Sequence, residues 1–178
     1  VQMFYYGTNF NQSINDWNVA SVTAMNNMFG GYQATSFNQP LDDWNVASVN
    51  NMSGMFYKAT FDQPLNDWDV ASVTDMRIMF KKATTFNQPL DDWNVASVND
   101  MTAMFYKATK FNQCLSTWAD KTPPKYNNIF DFSGCQDSDP SAWCCIAPSA
   151  TPSTLPSDTP STLPSDMPSV QPSTLPSD

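Results

Sequence analysis

The chain has 178 residues, 17 acidic side chains that are all Asp, only 8 Lys and Arg, no His, and a net charge of −9. That balance excludes nucleic-acid binding through clustered cations, and the missing histidine excludes Ser-His-Asp and Cys-His catalysis and any His metal cluster within the chain. No run approaches the roughly 18 apolar residues that a membrane span needs.

In chain order, Val1 to Gly7 reads as the closing segment of a truncated unit, because Met3-Phe4 matches Met28-Phe29 at a distance of 25 residues. The chain is therefore expected to be a fragment or processed product, and a missing signal peptide says nothing of localisation. Full units then begin at Phe10, Phe37, Phe61 and Phe86, with a degraded one at Phe111. Tryptophans stand at Trp17, Trp44, Trp68, Trp93, Trp118 and Trp143, spaced by 27, 24, 25, 25 and 25 residues, the period of a repeat array. Phe to Trp is always 7 residues and Trp to the first Met always 8, with Tyr126 in the place of Met in the fifth unit. All length variation falls between the Met-Phe pair and the next Phe, which predicts a surface loop there.

In the second unit Leu41, Trp44, Val46 and Val49 occupy the spacing L-x-x-L-x-L-x-x-L, the leucine-rich-repeat pattern. Alternation in Trp44-Asn45-Val46 predicts a short strand with one buried face. Asn50, and Thr23, Thr74 and Asn99 elsewhere, are residue types that open helices, and Met52, Met55 and Phe56 share one helical face. The predicted fold is therefore α/β: a right-handed leucine-rich-repeat-like solenoid of about five 25-residue repeats, with a parallel strand ladder, short helices and a disordered C-terminal tail. Residues 1–130 form the solenoid, 131–147 a cysteine-containing cap and 148–178 a Pro/Ser/Thr-rich stalk or linker.

The fifth unit degrades where Cys114 replaces a Pro and Pro123-Pro124 interrupt the ladder, and Trp143, in the cap, falls on the register of a sixth strand. Cys114, Cys135, Cys144 and Cys145 all lie near it, so two disulfides are expected, as in a secreted chain. Of the three pairings, Cys144 with Cys145 is disfavoured because a bond between neighbours strains the peptide, which leaves Cys114 with either one and Cys135 with the other; a zinc site lacks both His and a C-x-x-C pair. The tail carries Pro every four residues from Pro152 to Pro176, an extended stalk suited to O-glycosylation or a plain linker. Asn11-Gln-Ser and Asn51-Met-Ser are formal N-glycosylation sequons.

No catalytic, cofactor-binding or metal-binding residue is assigned. The pairs Asp42-Asp43 and Asp91-Asp92 read as solvated turns, and the Met and Trp columns as core. One outward column is proposed as a binding surface: Asp16, Asn18, Asp43, Asn45, Asp67, Asp69, Asp92 and Asn94. Stacked like charges repel, and such a strip suits a cationic group, a divalent ion or sugar hydroxyls. The alternative is that these side chains bond only to neighbouring rungs. Lys58, Lys81, Lys82, Lys107 and Lys110 line a basic edge. Ice binding would need regular outward Thr columns that the chain lacks.

At W-[ND]-V-A-S-V-[TN]-x-M-x-x-M-F the sequence closely resembles the BspA-like leucine-rich-repeat surface proteins, whose repeat recurs in mycoplasma surface lipoproteins. The resemblance spans about residues 1–130 and implies a cell-surface or extracellular adhesion module without enzymatic activity, whose partner is a protein or glycan. The alternative is a structural matrix or cell-wall component that associates laterally or end to end with its own kind.

Overall fold

The computed structural model describes residues 3–5, 7, 9–31, 35–121, 125–135 and 143. Among them the one regular element is a 3-10 helix, Ser116–Lys121, and there is neither an α-helix nor a strand. The α/β solenoid with a strand ladder and short helices is thus not what the chain forms. Each unit is instead a succession of tight turns.

The apolar landmarks are the ends of those turns. The N–H of Trp44 donates to Leu41 O (3.2 Å), that of Val49 to Val46 O (2.8 Å), that of Met55 to Met52 O (3.1 Å) and that of Ala59 to Phe56 O (3.0 Å), and the other units repeat the pattern. In the full units Asp and Asn fill the centres of the Leu-x-x-Trp turns and Ala-Ser those of the Val-x-x-Val turns, whereas the Met-x-x-Met and Phe-x-x-Ala centres vary. In the Met-x-x-Met turns the third residue takes the left-handed conformation: Asn27, Gly54, Ile78, Ala103 and Asn128 have φ between 51° and 62°. That is the signature of a type II turn. Lys58, Lys82, Lys107 and Phe132 do the same in the Phe-x-x-Ala turns or their equivalents, with φ of 58–61°. A helix cannot run through such residues.

The segment expected to be helical is the one that joins the units. Alternate N–H groups of Met52, Gly54, Phe56 and Lys58 donate to the carbonyls of Asp75, Arg77, Met79 and Lys81 in the next unit, each at 2.9 Å. The same four rungs link every successive pair from Met25 to Asp131. One or two turns of isolated helix are marginal, whereas here each of these N–H groups finds a partner across the stack. The turns interrupt the rungs, so the pairing registers only as isolated parallel bridges, Ala24 to Asn51, Asn51 to Asp75, Asp75 to Asp100 and Asp100 to Lys125, with Thr35 to Ala59 beside them. Neighbouring Trp-x-Val segments, the expected strands, share no backbone hydrogen bond among the described residues.

Trp instead ties units through its side chain. The indole N–H of Trp44, Trp68, Trp93 and Trp118 donates to the carbonyl of Ile14, Leu41, Leu65 and Leu90 in the preceding unit, at 2.8–3.2 Å. This satisfies a donor that would otherwise be buried unpaired. A second polar line runs through Phe-Asn-Gln: Asn11, Asn38, Asp62 and Asn87 each accept the N–H of the equivalent residue one unit on, at 2.8–2.9 Å. The last rung, Asn112, has a buried Oδ1 with no partner among the described residues.

Between these lines lies a double ladder of phenylalanines. Phe29, Phe56, Phe80, Phe105 and Phe130 stack at 5.4–5.7 Å between ring centres. Phe37, Phe61, Phe86 and Phe111 stack beside them, each 3.9–4.2 Å from its partner in the first column. These rings and the Met, Val, Leu and Trp landmarks from Phe37 to Trp118 are almost wholly buried. At the far end Trp143 is 2% exposed, stands edge-on to Phe130 at 6.0 Å and accepts the Leu115 N–H through its carbonyl. Its backbone is left-handed (φ 44°), and its side chain packs against Phe130; Cys144 and Cys145, the rest of the expected sixth strand, lie outside the described residues. Trp118 is buried within the 3-10 helix. Pro123-Pro124 and the tail 148–178 lie outside the described residues.

Candidate functional site: the Asp/Asn column

The column rises through the Leu-x-x-Trp turn and the residue after Trp. The latter position is used locally: Asn18, Asn45, Asp69 and Asn94 each accept, through Oδ1, the N–H two residues on (Ala20, Ala47, Ala71 and Ala96) at 3.1–3.3 Å. Such a bond holds the chain in the bend that leads into the Val-Ala-Ser-Val turn. These four side chains therefore shape the turn and keep only their outer atoms for a ligand.

The turn residues divide by pairs of units. Asn15 donates through Nδ2 to Asp42 Oδ1 (3.1 Å) and Asp43 Oδ2 (2.8 Å) and accepts the Asp43 N–H (3.1 Å). Asn66 does the same one pair later, donating to Asp92 Oδ2 and accepting its N–H (3.3 Å). An amide thus stands between carboxylates in the first and second units and again in the third and fourth, which removes part of the expected like-charge repulsion. Asn15 and Asn66 were outside the proposed surface. Their signal is visible in the sequence, where Asn-Asp and Asp-Asp alternate at this turn in successive units.

Asp16 and Asp67 remain. Both are exposed, and neither has a hydrogen bond or ion pair among the described residues. Asp67 borders a recess of about 40 Å³ between the second and third units, lined also by Asp42, Leu65 and Trp68, where among the described residues no amide links the two Leu-x-x-Trp turns. Of the eight residues, four serve the local bend, Asp43 and Asp92 bind the neighbouring unit, and Asp16 and Asp67 alone present free carboxylates. Among the described residues no group of three or more His, Cys, Asp or Glu is placed to hold a metal.

The basic edge is built on the Phe-x-Lys-Ala turns. Lys58 lies 5.3 Å from the Tyr57 ring centre, Lys81 4.9 Å and Lys107 5.4 Å from Tyr106, and Lys107 also 5.4 Å from Phe132. The ring faces hold the ammonium groups over the turn. Lys110 is exposed beside them. Phe132, 69% exposed, extends this strip of cations and rings. Sequence reasoning found the lysines and missed the rings between them.

Cys114 and Cys135 are both in disulfides; Cys144 and Cys145, and with them the pairing, lie outside the described residues. Among the described residues no helix is long and apolar enough to cross a membrane. No curated protein and no solved structure matches the chain. A family model matches residues 1–60 and 58–143, in two overlapping copies that take in every unit, and the chain belongs to that family, described as Mycoplasma protein of unknown function, DUF285.

Proposed function

We propose that the chain is a non-enzymatic binding module of a cell surface or extracellular matrix, engaging a protein or glycan through the Asp/Asn column. The observation that carries this reading is the pair of free, exposed carboxylates at Asp16 and Asp67, in a molecule whose other column residues spend oxygens on the fold. A free carboxylate fixed on a rigid turn meets a cationic side chain without first giving up an internal bond. The disulfides at Cys114 and Cys135 support an oxidising, extracellular location, as does the resemblance of the repeat to BspA-like surface proteins.

The test is binding to an array of purified matrix proteins and glycans. A variant with Asp16, Asp43, Asp67, Asp69 and Asp92 changed to Asn is compared with one carrying Lys58, Lys81, Lys82 and Lys107 changed to Gln. The Asp variant should keep its fold and lose binding; relief of charge repulsion, some tenths of a kcal/mol per exposed pair, is offset where Asp43 and Asp92 give up the charge-assisted bonds from Asn15 and Asn66. Unchanged binding in that variant with loss in the Lys variant would move the site to the basic edge.

The basic edge also favours a second reading, self-association into a structural layer. Its lysines recur with the same unit period as the carboxylates, so the two strips of neighbouring copies match in spacing and are opposite in sign.

A further inference from the structure

The central residues of the Met-x-x-Met turns are where units otherwise nearly identical differ most: Asn26-Asn27, Ser53-Gly54, Arg77-Ile78 and Thr102-Ala103. Four successive units bring Asn27, Ser53, Arg77 with Ile78, and Thr102 along one open groove of about 330 Å³, at the small end of the range for ligand sites. The sequence alone does not show it, because the expected helix would have dispersed these positions.

Arg77 is clamped. Its Nε and Nη2 reach Asp75 at 3.0 and 2.8 Å, and Nε lies 3.9 Å from Asp100. The hydrogen bond and charge of Asp75 raise the guanidinium's pKa further. A bidentate clamp fixes the planar group and leaves its remaining N–H groups for a ligand. Two carboxylates against one guanidinium make the groove unwelcoming to a free anion. Both carboxylates are already engaged, which disfavours a cation.

A neutral, hydroxyl-rich ligand fits what remains. The Asn27 amide and the Thr102 hydroxyl have no hydrogen bond among the described residues. Ser53 Oγ donates to Asn51 Oδ1 at 2.8 Å and keeps its lone pairs. Ile78 supplies an apolar wall and is held at φ 51°, an outlying conformation for a β-branched side chain that local packing must maintain.

We infer that this groove binds a single neutral hexose unit of a glycan, with Arg77, Asn27, Ser53 and Thr102 exchanging hydrogen bonds with its hydroxyls and Ile78 against its C–H face. This rests on the binding-module reading and assigns it a second contact besides the Asp/Asn column. The test is an amide NMR titration of the full chain with D-glucose, D-galactose and D-mannose, each to high millimolar concentration. Saturable shifts at Ser53, Arg77, Ile78 and Thr102 are expected with at least one sugar. They should weaken about tenfold in Arg77→Gln and vanish in Thr102→Trp, which fills the groove; Lys121→Gln is the control.

Absence of saturable shifts with all three sugars, or equal shifts in Thr102→Trp, would overturn the site. Tighter binding of glucuronate than of the neutral sugars would overturn the ligand class. The two readings fail separately. Array binding that is lost in the Asp variant, without hexose shifts, removes the groove and leaves the carboxylate surface standing.

Discussion

Replacing Phe80 with Ala is expected to cost about 3–5 kcal/mol, the range for emptying a fully buried aromatic site. Phe80 has no exposed surface and stacks on Phe56 at 5.4 Å, on Phe105 at 5.6 Å and on Phe86 at 4.0 Å. Its loss opens a gap between the two halves of the first ring column and strips Phe86 in the second of its neighbour. The neighbouring rings cannot collapse into it easily, because Phe56 N–H is bonded to Met79 O and Phe80 N–H to Met104 O, both at 2.9 Å, which fixes the spacing of the units. The cost should therefore lie toward the upper end. Urea unfolding of the wild type and the variant measures it from the shift in midpoint. A cost below about 1 kcal/mol would mean that the rings are not packed as described.

The second large effect is expected from the smallest change, Gly30→Ala. A Cβ at Gly30 would lie 2.3 Å from the carbonyl oxygen of Gly54 and 3.1 Å from the backbone N of Tyr57. Both neighbours are main chain and cannot swing aside as a side-chain tip does. Nor can Gly30 retreat, since Phe29 and Gly31 on either side donate to Met55 and Tyr57 at 2.9 and 3.0 Å. Relief of the clash must lengthen at least one of those rungs. Overpacking of this kind costs about 1–3 kcal/mol, and a lost rung adds about 1 kcal/mol. Thermal unfolding should show a clear fall in Tm for Gly30→Ala, and an unchanged Tm would refute the close approach of the first and second units there.

The repeat, its landmarks and the inward direction of Leu41, Trp44, Val46, Val49, Met52, Met55 and Phe56 are legible in the sequence, since each of these residues is buried. The secondary structure is not. An apolar pair three residues apart marks one face of a helix, but it equally marks the two ends of a β-turn. In this chain that spacing separates Leu41 from Trp44, Val46 from Val49, Met52 from Met55 and Phe56 from Ala59, so the whole unit satisfies the second meaning. Among the described residues, only one of the left-handed third positions of these turns is glycine, at Gly54. Ile78 and Lys82 carry no mark of a type II turn that could be read beforehand. The stack selects it, because turning the chain there aims alternate N–H groups at the next unit.

The candidate surface was half legible for a related reason. Asp and Asn at an outward position announce exposure, and Asp16 and Asp67 are exposed. Whether an Asx oxygen faces a partner or its own backbone depends on a bend that composition does not reveal. Asn18, Asn45, Asp69 and Asn94 all turned inward to the N–H two residues ahead. The groove around Arg77 has no signal in the sequence, because it exists only where the Met-x-x-Met segments pair side by side.

NMR couplings transmitted through hydrogen bonds test that side-by-side pairing most directly. The predicted result is a correlation from the amide nitrogen of Met52 to the carbonyl carbon of Asp75, of Gly54 to Arg77 and of Phe56 to Met79, matching the rungs at 2.9 Å. A correlation from the Phe56 nitrogen to the Met52 carbonyl, four residues back as in an α-helix, would contradict it.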